Sequence, residues 1–124
     1  MTSFALSLPA DVAAPAAARR SLDTLALPPH CRPDLLLLVS ELVTNSVRHG
    51  AHPDGIVGMR IDLSPERIRV EVEDGGDGFV PPSPGEDPTG DGMGLRLVDT
   101  LSDRWGVTPV PATVVWFEVD LGPA

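Results

Sequence analysis

The chain has 124 residues, 42% of them hydrophobic, and a net charge of −9. This composition predicts one folded domain over residues 1–124 and argues against a disordered chain. The negative charge argues against nucleic acid or an anionic membrane as a partner. No apolar run approaches the roughly 20 residues of a membrane span.

The lysine and cysteine counts exclude further classes of site. All nine basic residues are arginine. Without lysine, the chain cannot form the phosphate site of a P-loop or the strand lysine of ordinary protein kinases. The single cysteine, Cys31, cannot form an internal disulfide and fits a reducing cytoplasm. We interpret it as a small apolar residue without chemistry.

The first part of the chain predicts a strand and then a helix. Residues 3–8 alternate between apolar and small polar side chains, which is typical of a half-buried strand. Ala13–Ala26 is rich in alanine and carries leucines at helical spacing. Arg19 and Arg20 are predicted to be exposed there, as solvated surface charge or as contacts for a partner.

A central helix is predicted from Pro33 to Gly50. Proline suits a first helical turn, and glycine readily takes the left-handed conformation beyond a helix end. Glu41, Asn45 and His49 are four residues apart, so they share one face at the edge of a broad apolar arc. Polar side chains are costly there unless a polar group meets them, so this face is predicted to line a pocket.

Two strands follow the central helix. Residues 57–63 and 67–73 alternate between apolar and charged side chains and are joined by a short turn with Pro65. This pattern predicts an antiparallel hairpin that is covered on one side only.

The segment Glu73–Phe79 reads EDGGDGF. It is typical of a tight turn, and calcium binding is a further reading of its acids, although EF-hand spacing is absent. The functional alternative is that Asp74 accepts a hydrogen bond at the sheet edge. Gly76 and Gly78 would then let a flat ligand approach the backbone.

Proline and glycine dominate residues 80–93, which we expect to form a lid because long irregular loops in compact domains are usually functional. Apolar residues at helical spacing then predict a helix from Leu95 to Trp105. Its start, Gly92-Met93-Gly94-Leu95, would present free backbone N–H groups suited to a phosphate.

The end of the chain predicts two strands, at residues 106–110 and 113–121. Trp116 falls on the polar face of the second strand, where something is expected to shield it. The order of elements predicts an α+β two-layer sandwich, with a mostly antiparallel mixed sheet covered on one face by about three helices.

Three motifs together resemble a known family. The runs ELVTNSVRHG, DGGDGF and GDGMGLRLVDTLSDRWGV resemble the N-box and the two glycine boxes of the ATPases of gyrase, histidine kinases and MutL, which share the Bergerat fold. The likeness covers nearly the whole chain. It is greatest to the small stand-alone bacterial branch of anti-sigma factors that are serine/threonine kinases.

The resemblance implies ATP and Mg²⁺ as cofactors and assigns roles to residues. Asn45 would hold Mg²⁺, Glu41 would orient or deprotonate the attacking hydroxyl, and Asp74 would accept from the adenine amino group. The other implied nucleotide-binding residues are Arg48, His49, Gly76, Gly78, Gly92, Met93, Gly94, Leu95 and Thr113. Thr113 follows Pro111-Ala112 where the family often has glycines, so this chain would contact the nucleotide there through the threonine hydroxyl.

Two functional classes stay open. In the first, the protein transfers the ATP γ-phosphate to a serine or threonine of an anti-sigma antagonist protein. Alternatively, it is a non-catalytic switch in which nucleotide controls the binding of a sigma factor or another partner. Dimers occur among the relatives, so a homodimer is a further expectation.

Overall fold

The structure is a computed structural model that describes residues 2–50, 52–74, 93–108 and 112–122, with side chains from residue 96 onwards in the third range. Five strands and three α-helices make up this part of the chain. In order they are β1 (Thr2–Pro9), α1 (Ala14–Ser21), α2 (Arg32–His49), β2 (Ile56–Leu63), β3 (Arg67–Glu73), α3 (Met93–Leu101), β4 (Arg104–Thr108) and β5 (Val114–Asp120).

The strands form one sheet in the order β1-β2-β3-β5-β4, and all four pairings are antiparallel. One apolar row crosses all five strands at matching register, through Phe4, Ile61, Val70, Phe117 and Trp105. The three central members are fully buried. The predicted α+β fold is therefore confirmed, including the hairpin with one apolar face.

The core lies between this apolar face and the helices. The central helix α2 packs between α1 and α3 and reaches β2 and β3. Its inward residues Leu35, Leu38 and Val39 are fully buried. Cys31 is also buried, as expected of a small apolar residue.

The opposite face of the sheet carries a ladder of ion pairs. Glu118 accepts hydrogen bonds from Arg104 Nε at 2.7 Å and from Arg69 Nη1 at 3.0 Å. These bonds, first that of Arg104, lower the pKa of the Glu118 carboxyl. The Arg69 guanidinium also lies 4.2 Å above the Trp116 ring, a cation–π contact that shields the tryptophan.

The last helix is shorter than predicted. Instead of reaching Trp105, α3 ends at Leu101, and the next residues join the sheet through a bond from Asp103 N to Glu118 O. Trp105 lies in β4 and donates from its ring nitrogen to Asp99 at 2.9 Å. The prediction was wrong because an apolar residue four positions after Leu101 fits a helical period as well as the start of a strand.

The first helix also differs from its prediction. Its α-helical part ends at Ser21, and a 3₁₀ turn covers Leu22–Thr24. Arg20 is exposed as expected, but Arg19 is half-buried and donates to Ser40 Oγ at 2.9 Å. The prediction of an exposed Arg19 was therefore wrong, because this side chain connects α1 to α2.

Candidate functional site

The helix α2 orders three of the predicted site residues along one face. Asn45 is buried, with only 8% of its surface exposed, between the half-buried Glu41 and the exposed His49. Their spacing of four residues places them on successive turns, about 6 Å apart along the axis. Arg48 is exposed beside this row. Within this row Asn45 is therefore the most enclosed side chain and His49 the most exposed.

The amide of Asn45 is not satisfied by the protein. Its Nδ2 is buried and has no hydrogen-bond partner in the part of the chain that the structure describes. A buried donor without a partner costs about 1–3 kcal/mol. Such a donor is satisfied when a bound molecule or anion presents an acceptor to it, and this is the chemistry expected of a binding site.

Asp74 and Thr113 form the second part of the site. Asp74 follows β3 and is only 3% exposed, and its backbone N–H donates to the Thr113 carbonyl at 3.0 Å. Thr113 precedes β5, and its buried hydroxyl has no hydrogen-bond partner among the described residues. The backbone contact continues the pairing of β3 with β5, so these two residues lie next to each other at the end of the two strands.

Gly50 joins the two parts. A Cβ at Gly50 would lie 2.4 Å from Asp74 Oδ2 and 2.7 Å from the Ser46 carbonyl oxygen. The Asp74 carboxylate thus packs directly against the end of α2, in the space that a side chain would fill. Gly50 is extended (φ −81°, ψ 168°) rather than left-handed, so the reason predicted for this glycine was wrong. Close approach, not backbone conformation, requires glycine here.

The remaining predicted site residues belong to the glycine segments and to the start of α3. Gly76, Gly78 and Gly92 lie outside the described residues, and so does most of the segment predicted as a lid, residues 80–93. Met93, Gly94 and Leu95 form the first turn of α3, as a helix-start site requires. The roles predicted for all of these residues remain predictions.

Sequence reasoning missed one residue at this end of α2. His52 lies in the turn between α2 and β2, and its Nε2 is 2.7 Å from the Ser46 carbonyl oxygen. In sequence it belongs to His-Pro-Asp-Gly, which signals only a turn.

No group of three acidic, histidine or cysteine residues suited to a metal occurs among the described residues. None of the helices in the described ranges is long and apolar enough to cross a membrane.

Residues 8–118 match the family model of the histidine kinase-like ATPase domain. The chain belongs to this family. The match includes α2, Asp74 and Thr113, so the candidate site lies within the part that defines the family. A search of curated proteins found no significant match.

Two solved structures are similar to this ATPase domain. One contains the RsbU and RsbW domains of a Mycobacterium tuberculosis protein, with a TM-score of 0.73 and 19% identity over 100% of this chain. The other is a blue-light activated histidine kinase from Erythrobacter litoralis, with a TM-score of 0.61 and 28% identity over 94% of this chain. The chain spans 34% and 42% of those two proteins. The first likeness is one of fold alone.

Proposed function

We propose that this ATPase domain binds ATP at the C-terminal end of α2 and acts as a serine/threonine kinase on an anti-sigma antagonist protein. The observation that carries the nucleotide site is the pair of unpartnered atoms, Asn45 Nδ2 and Thr113 Oγ1. Both are buried. Asn45 lies on α2, whose end packs against the Asp74 carboxylate, and the Thr113 carbonyl accepts the Asp74 backbone N–H. Membership of an ATPase family supports the choice of ligand.

The end of the site near Asp74 suits adenine. The Asp74 carboxylate can only accept hydrogen bonds while ionised, so it would pair with the exocyclic amino group of adenine. Guanine presents a carbonyl at that position and would be repelled. The Thr113 hydroxyl would bond a ring nitrogen or a bridging water. Gly76 and Gly78, which follow Asp74 in the chain, would leave room for the flat base.

The end of the site near Asn45 suits a triphosphate. The side-chain oxygen of Asn45 is a hard ligand and would hold Mg²⁺. The ion usually keeps several waters and the phosphate oxygens as its other ligands. That ion would neutralise the charge that develops during phosphoryl transfer. Arg48 and His49, one turn further along α2, would contact the phosphates. The remaining phosphate contacts would come from the start of α3, at Gly92, Met93, Gly94 and Leu95.

Glu41 is the proposed catalytic base. It is half-buried one helical turn before Asn45, on the same face of α2. A carboxylate at this place would orient the attacking hydroxyl of the partner and take its proton as the γ-phosphate is transferred. A protein that only binds nucleotide needs no such base, and this favours a kinase over a switch.

The test is transfer of label from γ-labelled ATP to a candidate antagonist protein in the presence of Mg²⁺. We expect label on a serine or threonine of the partner, lost in Glu41→Ala and retained in Asp34→Asn, an exposed acid in the first turn of the same helix. Tight ATP binding without transfer to any partner would contradict the kinase and leave the nucleotide-dependent switch. Absence of ATP binding in calorimetry would overturn both.

A further inference from the structure

We propose that His52 is a positioning residue for the adenine end of the site, an inference that rests on the proposed function. It would hold the end of α2 in the place that lets Gly50 and Asp74 make their close contact. None of the three predicted motifs contains His52, which acts here through backbone atoms rather than through the ligand.

The imidazole of His52 lies between two backbone carbonyl groups. Its Nε2 lies 2.7 Å from the Ser46 oxygen in the last turn of α2, and its Nδ1 lies 3.1 Å from the Ile56 oxygen at the start of β2. Carbonyl oxygens only accept, so a ring nitrogen bonds them when it carries hydrogen. The neutral ring donates from one nitrogen at a time, and the shorter contact assigns that hydrogen to Nε2.

The Ser46 carbonyl is the point at which this bond reaches the site. The same oxygen accepts the Gly50 N–H at 2.8 Å, and it lies 2.7 Å from the place of a Gly50 Cβ. The Asp74 carboxylate packs into that place. A bond from His52 to this oxygen therefore fixes the backbone against which the Asp74 carboxylate rests.

The turn that carries His52 is itself anchored. The Gly55 N–H donates to the His52 carbonyl at 2.9 Å, and the Gly55 carbonyl accepts from Ala10 N at 2.9 Å. Asp54 Oδ1 accepts from the Ile56 backbone at 3.1 Å. Because these bonds hold the turn to β1 and β2, the single bond from His52 Nε2 to the Ser46 oxygen ties the end of α2 to the sheet.

Three proteins are compared in the test: His52→Ala, the conservative His52→Gln, and His30→Ala. His30 is the matched control, since it is exposed beyond the other end of α2. We expect His52→Ala to weaken ATP binding about fivefold, the loss of one neutral hydrogen bond. Binding of Mg²⁺-tripolyphosphate should change less than twofold. A glutamine amide can donate to the Ser46 oxygen, so His52→Gln should recover most of the affinity.

A merely structural role would give a different pattern. Equal weakening of ATP and tripolyphosphate, or no recovery in His52→Gln, would overturn the proposal. So would an unchanged ATP affinity in His52→Ala.

A second measurement does not depend on nucleotide. In ligand-free protein the Gly50 amide should exchange hydrogen about fivefold faster in His52→Ala than in the wild type, and nitrogen-15 NMR of the wild type should show hydrogen on Nε2. If the wild type binds no ATP, the proposed function fails, but the exchange rate and the NMR measurement still decide whether His52 bonds the Ser46 oxygen. An unchanged exchange rate or an unprotonated Nε2 would refute the positioning role of His52.

Discussion

Gly50 and Asp74 approach so closely that a methyl group on Gly50 would lie 2.4 Å from the Asp74 carboxylate. We expect Gly50→Ala to push this carboxylate out of place and to weaken ATP binding by about tenfold, or about 1.4 kcal/mol. Gly58→Ala is the matched control, because its methyl group would meet nothing nearer than Glu73 Cβ at 3.7 Å. Calorimetry with ATP should separate the two variants, and equal affinities would show that the contact does not shape the site.

Asn45→Ala should abolish Mg²⁺-dependent ATP binding while the fold survives. Removing the amide also removes a buried donor that has no partner in the described part of the chain. Removing that penalty, about 1–3 kcal/mol, should offset much of the stability lost with the packing contacts of the side chain. We therefore expect a melting temperature close to that of the wild type, measured by circular dichroism. Unchanged ATP affinity in Asn45→Ala would contradict the magnesium role of this residue.

Two substitutions at Thr113 distinguish the contribution of its hydroxyl group from that of its branched shape. Thr113→Val keeps the branched side chain and removes an oxygen that has no partner among the described residues. Its free energy of unfolding should therefore stay equal to or above that of the wild type in urea titrations. ATP affinity should fall by a few-fold, the worth of one hydrogen bond, and Thr113→Ser should preserve it. A valine variant that binds ATP as tightly as the wild type would remove Thr113 from the site.

Acid should weaken the ion-pair ladder on the open face of the sheet. The pKa of Glu118 is lowered in the folded state by its bonds with Arg104 and then Arg69. A depressed pKa adds stability above the unfolded value, near 4.5, and this stability is lost as the pH falls through the lower, folded pKa.

Glu118→Gln lacks this titration, so it should lose about 1 kcal/mol less stability than the wild type on acidification. Urea titrations on both sides of pH 4.5 would measure the difference. Glu66→Gln is the control, since Glu66 is exposed and has no ion pair in the described ranges. A loss of stability on acidification that is identical in wild type and Glu118→Gln would show that the ladder contributes nothing.

The sequence determined the layers of this protein. Alternation with a period of two placed four of the five strands, and the row of Glu41, Asn45 and His49 followed from helical spacing alone. The family also followed from local motifs, since α2 and the two glycine runs retain their order and spacing in the chain. Such features could be predicted because they depend on neighbours a few residues apart.

Only the tertiary structure decided which groups meet. The pairing of β3 with β5 sets Thr113 beside Asp74, which lies 39 positions earlier in the chain, and the packing of α2 on the sheet brings Gly50 against the same carboxylate. The bridge from His52 to Ser46 and the end of α3 at Leu101 were likewise settled by contacts with other elements. Periodicity describes one element at a time, whereas burial and missing hydrogen-bond partners depend on how several elements pack together.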